Sequence, residues 1–312
     1  MSTLPPDILH LLQRLLPPHQ RPADIRPLSG GAVNATFRIT LTDGTHRVLR
    51  VYAGGTEPLG KEKTLHRLAT DLPIPRWIAS TTSPRPAALL SFVEGHSPLD
   101  HPGPPHLVGH AIGQTLASIG PLKAFPSHGL LDHSLAIRRR FPSLAESLHS
   151  FVDWSLTAGA AKDRLSPPTQ AAIRAFLHQH LPALDAIDAP PFALVHGDFK
   201  PQNLLLSQDS TDTPEVVAVL DWEYAFAGSP LSDLARFLHH STEHPELQAG
   251  LLDGFQRAGG HLPRDWQTIT ALLSLRDLLG TLNTTRNTPH LAIATSHLHA
   301  LLKNPGGPIE DT

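Results

Sequence analysis

The sequence contains no cysteine, so it has neither a disulfide framework nor a catalytic thiol. It also lacks a basic excess, because 25 Lys and Arg residues face 28 Asp and Glu residues and leave a net charge of −3. This balance argues against nucleic acid or an anionic membrane surface as a partner.

Long apolar segments are absent as well. No apolar run approaches the roughly 18 residues that a membrane-spanning helix needs. The first residues, Met1 to Pro6, lack the basic and apolar segments of a signal peptide. We therefore expect a cytoplasmic protein without a membrane partner.

Histidine, in contrast, is abundant, with 21 residues. Two close pairs, His178 with His180 and His239 with His240, lack the spacing of three or four that places side chains on one helical face. We therefore expect ordinary surface or boundary histidines here rather than a metal site.

The most informative stretch of the chain is residues 194–206, in which Asp198, Lys200 and Asn203 lie between two short apolar runs. Short apolar runs bounded by turn signals predict buried strands. The three polar side chains are therefore expected on one turn that is held at both ends. A carboxylate, a cation and an amide at a fixed position suit phosphoryl transfer.

A second stretch ends in further acidic residues. The apolar residues 216–220 predict a buried strand that delivers Asp221, Trp222 and Glu223 at its end. The turn-rich residues 207–214 predict a hairpin-like return that brings Asp221 beside Asn203. Since amide and carboxylate oxygens suit Mg²⁺, Asn203 and Asp221 are candidate metal ligands.

These two stretches carry a resemblance to a known family. The pattern H-x-D-x-K-P-x-N, followed by a strand and D-W-E, resembles the aminoglycoside phosphotransferase and choline kinase family of protein-kinase-like phosphotransferases. The resemblance extends over roughly residues 25 to 285. It implies an α+β, protein-kinase-like bilobal fold, with an antiparallel-sheet N-lobe over residues 1–91 and a mainly helical C-lobe over residues 92–312.

The resemblance also implies roles for the residues of the motif. Asp198 would orient the acceptor hydroxyl and take its proton, and Lys200 would contact the γ-phosphate of ATP. Mg²⁺ on Asn203 and Asp221 would neutralise charge on the phosphates. Asp233 matches a family aspartate that braces the catalytic loop. Two roles stay open for Glu223, namely binding a second metal ion and supporting the loop.

A glycine pair near the N-terminus is the next candidate for phosphate binding. Residues 28–34 read L-S-G-G-x-x-N, and glycines let backbone N–H groups approach phosphate oxygens. The resemblance matches this segment to the nucleotide-covering loop, so Ser29, Gly30 and Gly31 are candidate nucleotide contacts.

A cation also lies in a predicted core strand, residues 46–52. A lone buried charge is costly, so Arg50 needs an anion, and the helix that follows offers Glu62. The resemblance implies that Arg50, in place of a lysine, contacts the phosphates while paired with Glu62. A purely structural ion pair is the alternative. The resemblance further implies a hinge at which the carbonyl of Ser91 and the N–H of Val93 bind adenine.

A rival motif occupies the same region. Residues 55–61 fit G-x-x-x-x-G-K after a strand, which is nearly a Walker phosphate loop. However, Glu62 follows where Ser or Thr is required, and Pro58 removes one backbone donor. We therefore favour the kinase-like interpretation over a Walker-type ATPase.

The residues that would bind the phosphate acceptor carry fewer sequence signals than the motif loop. An insert over about residues 121–165 is implied to form the substrate pocket, with a helix from Ser134 to about Ala160. The run Arg138 to Arg140 within it is expected to be a solvated face. Protein kinases carry a long activation segment and an A-P-E sequence after the metal-binding aspartate, and both are missing here. A small molecule is therefore favoured over a peptide.

The expected function is an ATP-dependent phosphotransferase that acts on a small-molecule hydroxyl. Aminoglycosides, choline or ethanolamine, homoserine and similar compounds stay open as acceptors, as does the oligomeric state. The alternative is an inactive nucleotide-binding regulatory module of the same fold.

Overall fold

The computed structural model of the chain describes residues 6–28, 34–208, 212–284 and 288–303. Its strands are β1 (Pro22–Pro27), β2 (Ala35–Leu41), β3 (His46–Val51), β4 (Trp77–Thr81), β5 (Ala87–Ser91), β6 (Ala124–Phe125), β7 (Gly129–Leu131), β8 (Ile137–Arg140), β9 (Phe192–Val195), β10 (Leu204–Leu206), β11 (Val216–Val219) and β12 (Phe226–Gly228). Its α-helices are α1 (Pro6–Leu15), α2 (Thr56–Leu68), α3 (Pro105–Ile119), α4 (Leu144–Thr157), α5 (Ala161–Arg164), α6 (Pro167–His180), α7 (Leu231–His239), α8 (Pro245–Arg257), α9 (Trp266–Thr284) and α10 (Thr288–Lys303).

The chain divides into two compact units. The first comprises Met1–Pro104, Leu131–Arg138 and Gln202–Tyr224, and the second comprises Pro105–Leu130, Arg139–Pro201 and Ala225–Thr312. The α+β class is confirmed, since an antiparallel sheet lies in the N-terminal region and helices dominate the C-terminal region. The predicted lobe boundary after Ser91 stays a prediction.

The first unit is built on an antiparallel sheet of order β1-β2-β3-β5-β4. Helix α1 buries one apolar face in the core below this sheet, as its helical spacing predicts. Ile39, Leu41, Leu49 and Val51 of the sheet belong to the same cluster. Each fully buried side chain of this kind contributes roughly 1.5–3 kcal/mol, which fixes the register of β3.

The alternation of β3 determines where its arginine points. Leu49 and Val51 enter the cluster shared with α1, whereas Val48 packs against a second cluster that includes Leu59 of α2. Because successive strand residues face opposite sides, Arg50 shares the face of Val48. The sequence pattern therefore directs Arg50 toward the side on which α2 packs.

The second unit has its own antiparallel sheet, of order β6-β9-β12-β7-β8, and most of the helices. Helices α3 and α8 approach each other at Gly109 and Gly113 on one side and at Gly250 and Gly254 on the other. A Cβ atom at any of these positions would collide with a backbone carbonyl oxygen of the opposite helix. The four glycines therefore permit a backbone contact that larger residues would prevent.

The region around the arginine run differs from the prediction. We expected one helix from Ser134 to about Ala160, but residues 137–140 form β8 and the helix begins only at Leu144. The Ser143 side chain caps α4 by accepting a hydrogen bond from the N–H of Glu146, at 2.9 Å. The S-x-x-E spacing of a capping box was the signal for this later start. The three arginines are exposed, as expected.

Within the described ranges, every helix is either too short or not apolar enough to cross a lipid bilayer.

Candidate active site

The motif loop follows β9 and is braced from α7. The carboxylate of Asp233 accepts the N–H of His196 at 2.7 Å and the N–H of Gly197 at 2.8 Å. Gly197 has a φ of +81°, in the left-handed region that glycine adopts without a side-chain clash. The predicted bracing role of Asp233 is therefore confirmed.

Asp233 itself is almost fully buried. Burial raises its pKa to about 7, although the two backbone donors and Arg236 act in the opposite direction. The loop is thus held by a carboxyl group whose ionisation is expensive in this environment.

Both oxygens of the buried Asp198 carboxylate are paired with cations. Its Oδ2 lies 3.0 Å from Nζ of Lys200, and its Oδ1 lies 2.8 Å from Nη1 of Arg236. Its backbone N–H donates to Nδ1 of His196 at 3.1 Å. The structure therefore brings Asp198 and Lys200 together, as predicted, and holds the carboxylate in one orientation.

Arg236 connects this carboxylate to a second one. Its Nη2 lies 2.8 Å from Oδ1 of Asp277, whose Oδ2 lies 3.1 Å from Nε2 of His240. Burial alone would raise the pKa of Asp277, but Arg236 and His240 outweigh burial and lower it. Neither Arg236 nor Asp277 was predicted as a site residue from the sequence. The available signal was that Arg236 follows Asp233 by three positions on one helix.

The first unit assembles a different group of charges around Arg50. Nε of Arg50 lies 3.4 Å from Oε2 of Glu62, and Nη2 pairs with Asp221 and lies 3.7 Å from Oε2 of Glu223. The side chain of Arg50 is 11% exposed, and those of Glu62 and Glu223 are 3% and 6% exposed. The predicted pair of Arg50 and Glu62 is present, and Asp221 joins it.

The charges of this group do not balance. Burial lowers the pKa of Arg50, but Glu62 and Asp221 outweigh burial and raise it. Burial also raises the pKa of Glu62, and Arg50 offsets this only in part. Lys61 also interacts electrostatically with Glu223, so two cations face three carboxylates. The remaining negative charge in this largely buried place favours a further cation.

Neighbouring groups fix the orientation of the two glutamates. Oε1 of Glu62 accepts the N–H of Trp222 at 2.9 Å, and the hydroxyl of Tyr52 donates to Oε2. Nδ2 of Asn34 donates to Oε2 of Glu223 at 2.8 Å. Asn34 ends the L-S-G-G-x-x-N segment, whereas Ser29, Gly30 and Gly31 lie outside the described residues.

The hairpin of β10 and β11 brings the two predicted metal ligands to one end. Leu204 pairs with Val219, and the N–H of Leu220 donates to the carbonyl of Asn203 at 2.8 Å. Asp221 follows directly with a φ of +68°, a conformation that aspartate tolerates better than most residues. An amide and a carboxylate oxygen form a donor set that fits Mg²⁺.

The predicted hinge residues lie at the end of β5. Ser91 donates its N–H to the carbonyl of Arg76 at 2.9 Å, and its hydroxyl accepts the N–H of Arg76 at 2.8 Å. Val93 lies two residues beyond the strand and is half-buried. Their contacts with adenine stay predictions, as does the joint action of Asp198 with Asn203 and Asp221.

The Walker-type phosphate loop that residues 55–61 suggested is excluded, because most of these residues lie in helix α2. Helix α2 begins at Thr56, so Gly60 and Lys61 lie within the helix rather than in a loop before it. A Walker loop needs these residues outside the helix so that their backbone N–H groups can surround a phosphate.

The arrangement places this chain among phosphotransferases of the protein-kinase-like fold. The sequence profile of the phosphotransferase enzyme family matches residues 24–272, so the chain belongs to this family. The family that the motifs resembled is therefore confirmed.

Solved structures agree on the fold. A mutant of aminoglycoside phosphotransferase APH(4)-Ia, in a ternary complex with ADP and hygromycin B, gives a TM-score of 0.71 at 17% identity and covers 96% of this chain and 98% of that one. Macrolide 2'-phosphotransferase MphH from Brachybacterium faecium gives 0.63 at 17% identity and covers 98% of both chains.

The curated relatives are much longer proteins. Acyl-CoA dehydrogenase family member 10 of Mus musculus is 27% identical over 250 residues, which cover 74% of this chain and 22% of that protein. The chain thus spans only 13% to 22% of the length of the first relatives it matches.

Proposed function

We propose that this protein transfers the γ-phosphoryl group of ATP to a hydroxyl group of a small molecule. The observation that carries the proposal is the Asp198 carboxylate, held at both oxygens by Lys200 and Arg236 on a loop braced by Asp233. Membership of the phosphotransferase family supports the reaction class.

On the acceptor side, Asp198 orients the hydroxyl and takes its proton during transfer. A general base must be positioned within hydrogen-bond reach of the proton it removes, and the two cations restrict the carboxylate to one orientation. Lys200, which is partly exposed, contacts the transferred phosphoryl group.

On the donor side, Arg50 contacts the phosphates while Glu62 holds it in place. Asn203 and Asp221 would hold Mg²⁺, which would supply neutralisation of negative charge on the phosphate oxygens. Ser29, Gly30 and Gly31 are the proposed contacts to the nucleotide, and the backbone of Ser91 and Val93 is the proposed contact to adenine. The excess of carboxylates around Arg50 supports a cation at this end of the hairpin.

The acceptor class is a hydroxylated small molecule such as an aminoglycoside, choline or ethanolamine, or homoserine. Hygromycin B in the APH(4)-Ia complex supports an acceptor of this size. The inactive regulatory alternative is not proposed, because Asp198, Asn203 and Asp221 are all present.

The test is an ADP-release assay on a panel of hydroxylated metabolites and antibiotics. We expect Asp198→Asn to lower turnover of an accepted substrate by roughly 10²–10⁴-fold with little change in the Kd for Mg·ATP. We expect Asp221→Asn to weaken Mg·ATP binding itself. Asp265→Asn, at an exposed position, is the control and should behave as wild type. Unchanged turnover in Asp198→Asn, or a folded wild type that does not bind Mg·ATP, would refute the proposal.

A further inference from the structure

Four side chains with metal-binding atoms meet at the C-terminal end of α7. His239 is the last residue of the helix, and His240 follows it. Asp277 of α9 and His297 of α10 lie against them. Because α7 ends at His239, His240 does not continue the helix. The two side chains can therefore point toward one site although they are adjacent in sequence.

The spacing of these atoms is close to that of a metal site. One ligand atom each from His239, His240 and Asp277 lie within 4.8 Å of one another. Nε2 of His240 is 3.1 Å from Oδ2 of Asp277, and Nδ1 of His297 is 3.5 Å from Nε2 of His239. Two ligands that each lie about 2.0–2.1 Å from a tetrahedral zinc ion are roughly 3.3 Å apart. These two contacts are near that spacing, whereas the group of His239, His240 and Asp277, which lies within 4.8 Å, would contract on binding one ion.

His239 is the residue that most needs a partner. Its side chain is buried, with 7% exposure, and its Nδ1 makes no hydrogen bond. A buried polar atom without a partner is unfavourable, and the cluster places this imidazole beside the ligand atoms of His240 and Asp277.

The carboxylate is already oriented for the same role. Arg236 holds Oδ1 of Asp277 at 2.8 Å and leaves Oδ2 directed at His240. Carboxylates that bind metals are commonly held in this way by a second partner. The positive charge of Arg236 is shared with Asp198, which limits its repulsion of a nearby metal ion.

From this geometry we propose that His239, His240 and Asp277 bind a divalent ion of the zinc class. Imidazole nitrogens favour zinc over magnesium, so this site differs in chemistry from the oxygen donors Asn203 and Asp221. The ion would tie the end of α7 to α9, and we assign it a structural role.

The test uses the full chain, freed of metal by a chelator and then dialysed against zinc. We expect one zinc ion per chain by elemental analysis, a higher Tm with zinc, and the visible bands of tetrahedral Co²⁺ when cobalt replaces it. We expect His240→Ala to weaken zinc binding at least about 100-fold, beyond the 10–100-fold caused by loss of an outer partner. His299→Ala, which removes an exposed histidine of α10, is the matched control.

Two results would overturn the proposal. One is a folded wild type that binds no zinc at micromolar concentration. The other is equal weakening in His240→Ala and His299→Ala, which would indicate adventitious binding to surface histidines. If His240→Ala does not fold, His240→Gln replaces it in this comparison. None of these readouts depends on phosphotransfer.

Discussion

Arg50 and Asp198 have opposite surroundings in this protein: Arg50 is a cation among several carboxylates, and Asp198 is a carboxylate between two cations. Around Arg50, one guanidinium is shared by Glu62, Asp221 and Glu223. Around Asp198, one carboxylate is shared by Lys200 and Arg236. The first cluster keeps an excess of negative charge and can accept a cation, whereas the second restrains a single carboxylate.

Despite this difference, each cluster contains a buried carboxylate that accepts hydrogen bonds from backbone N–H groups. Glu62 accepts the N–H of Trp222, next to Asp221. Asp233 accepts the N–H groups of His196 and Gly197, next to Asp198. In both, burial raises the pKa of the bracing carboxyl. The backbone is thus braced in the same way beside Asp221 and beside Asp198, although the charges around these two side chains differ.

The largest effect is expected from removing Arg50, the cation that contacts three carboxylates of the first cluster. Arg50→Gln leaves buried carboxylates without their partner, and we expect it to lower the free energy of unfolding by about 3–5 kcal/mol. Urea unfolding measures this change. Arg26→Gln, which breaks an exposed ion pair with Asp24, should cost no more than about 1 kcal/mol. Similar losses in the two variants would show that the Arg50 cluster does not carry the stability we assign to it.

The bracing carboxyl of the second cluster should appear in the pH dependence of stability. The folded protein holds a proton on Asp233 up to about pH 7, whereas the unfolded chain loses it near the usual value of 3.8. The free energy of unfolding should therefore fall as pH rises through this window, by at most about 4 kcal/mol from this group. Asp233→Asn should flatten that slope in urea unfolding at pH 4.5, 5.5 and 6.5. An unaltered slope contradicts the assignment.

Removing a cation from the second cluster should affect turnover more than nucleotide binding. Arg236→Gln frees Oδ1 of Asp198, and the loss of orientation should lower kcat about 10–100-fold, or about 1.4–2.7 kcal/mol. The KM for ATP should change little. Arg236→Lys keeps the charge but cannot bridge two carboxylates, so it should rescue only part of the loss. Steady-state kinetics with Arg257→Gln, at an exposed ion pair, as control would decide.

The smallest effect is expected from reducing the negative excess of the first cluster by one charge. Glu223→Gln keeps an oxygen that can accept from Asn34, so stability should change little. The Mg²⁺ concentration for half-maximal activity should rise about 3–10-fold, since one nearby charge is worth on the order of 1 kcal/mol here. The exposed Glu215→Gln should leave it unchanged. An equal Mg²⁺ requirement in both variants would show that Glu223 does not contribute to cation binding.

Much of the candidate site could be predicted because its residues are close in sequence. Asp198, Lys200 and Asn203 occupy one loop, and the hairpin that returns Asp221 toward Asn203 is confirmed by the bond from Leu220. The apolar stripe of α1 was an equally local signal, and the structure shows it.

Other features were missed because they depend on pairs that are distant in sequence. The G-x-x-x-G spacing of Gly109 with Gly113, and of Gly250 with Gly254, is visible in the sequence. Its role in helix packing follows only from the contact between α3 and α8. The same holds for Asp277, whose role follows from its contact with Arg236 across two helices.

The sequence alone determined the family, the residues of the motif loop and the strand alternation that directs Arg50 toward the side of α2, since each is set by neighbours along the chain. Only the tertiary structure decided which charges share a partner. It added Asp221 and Glu223 to Arg50, Arg236 to Asp198, and His240 to Asp277. The physical reason is that the energy of a buried charge depends on every group within a few ångströms, and those groups come from segments far apart in sequence.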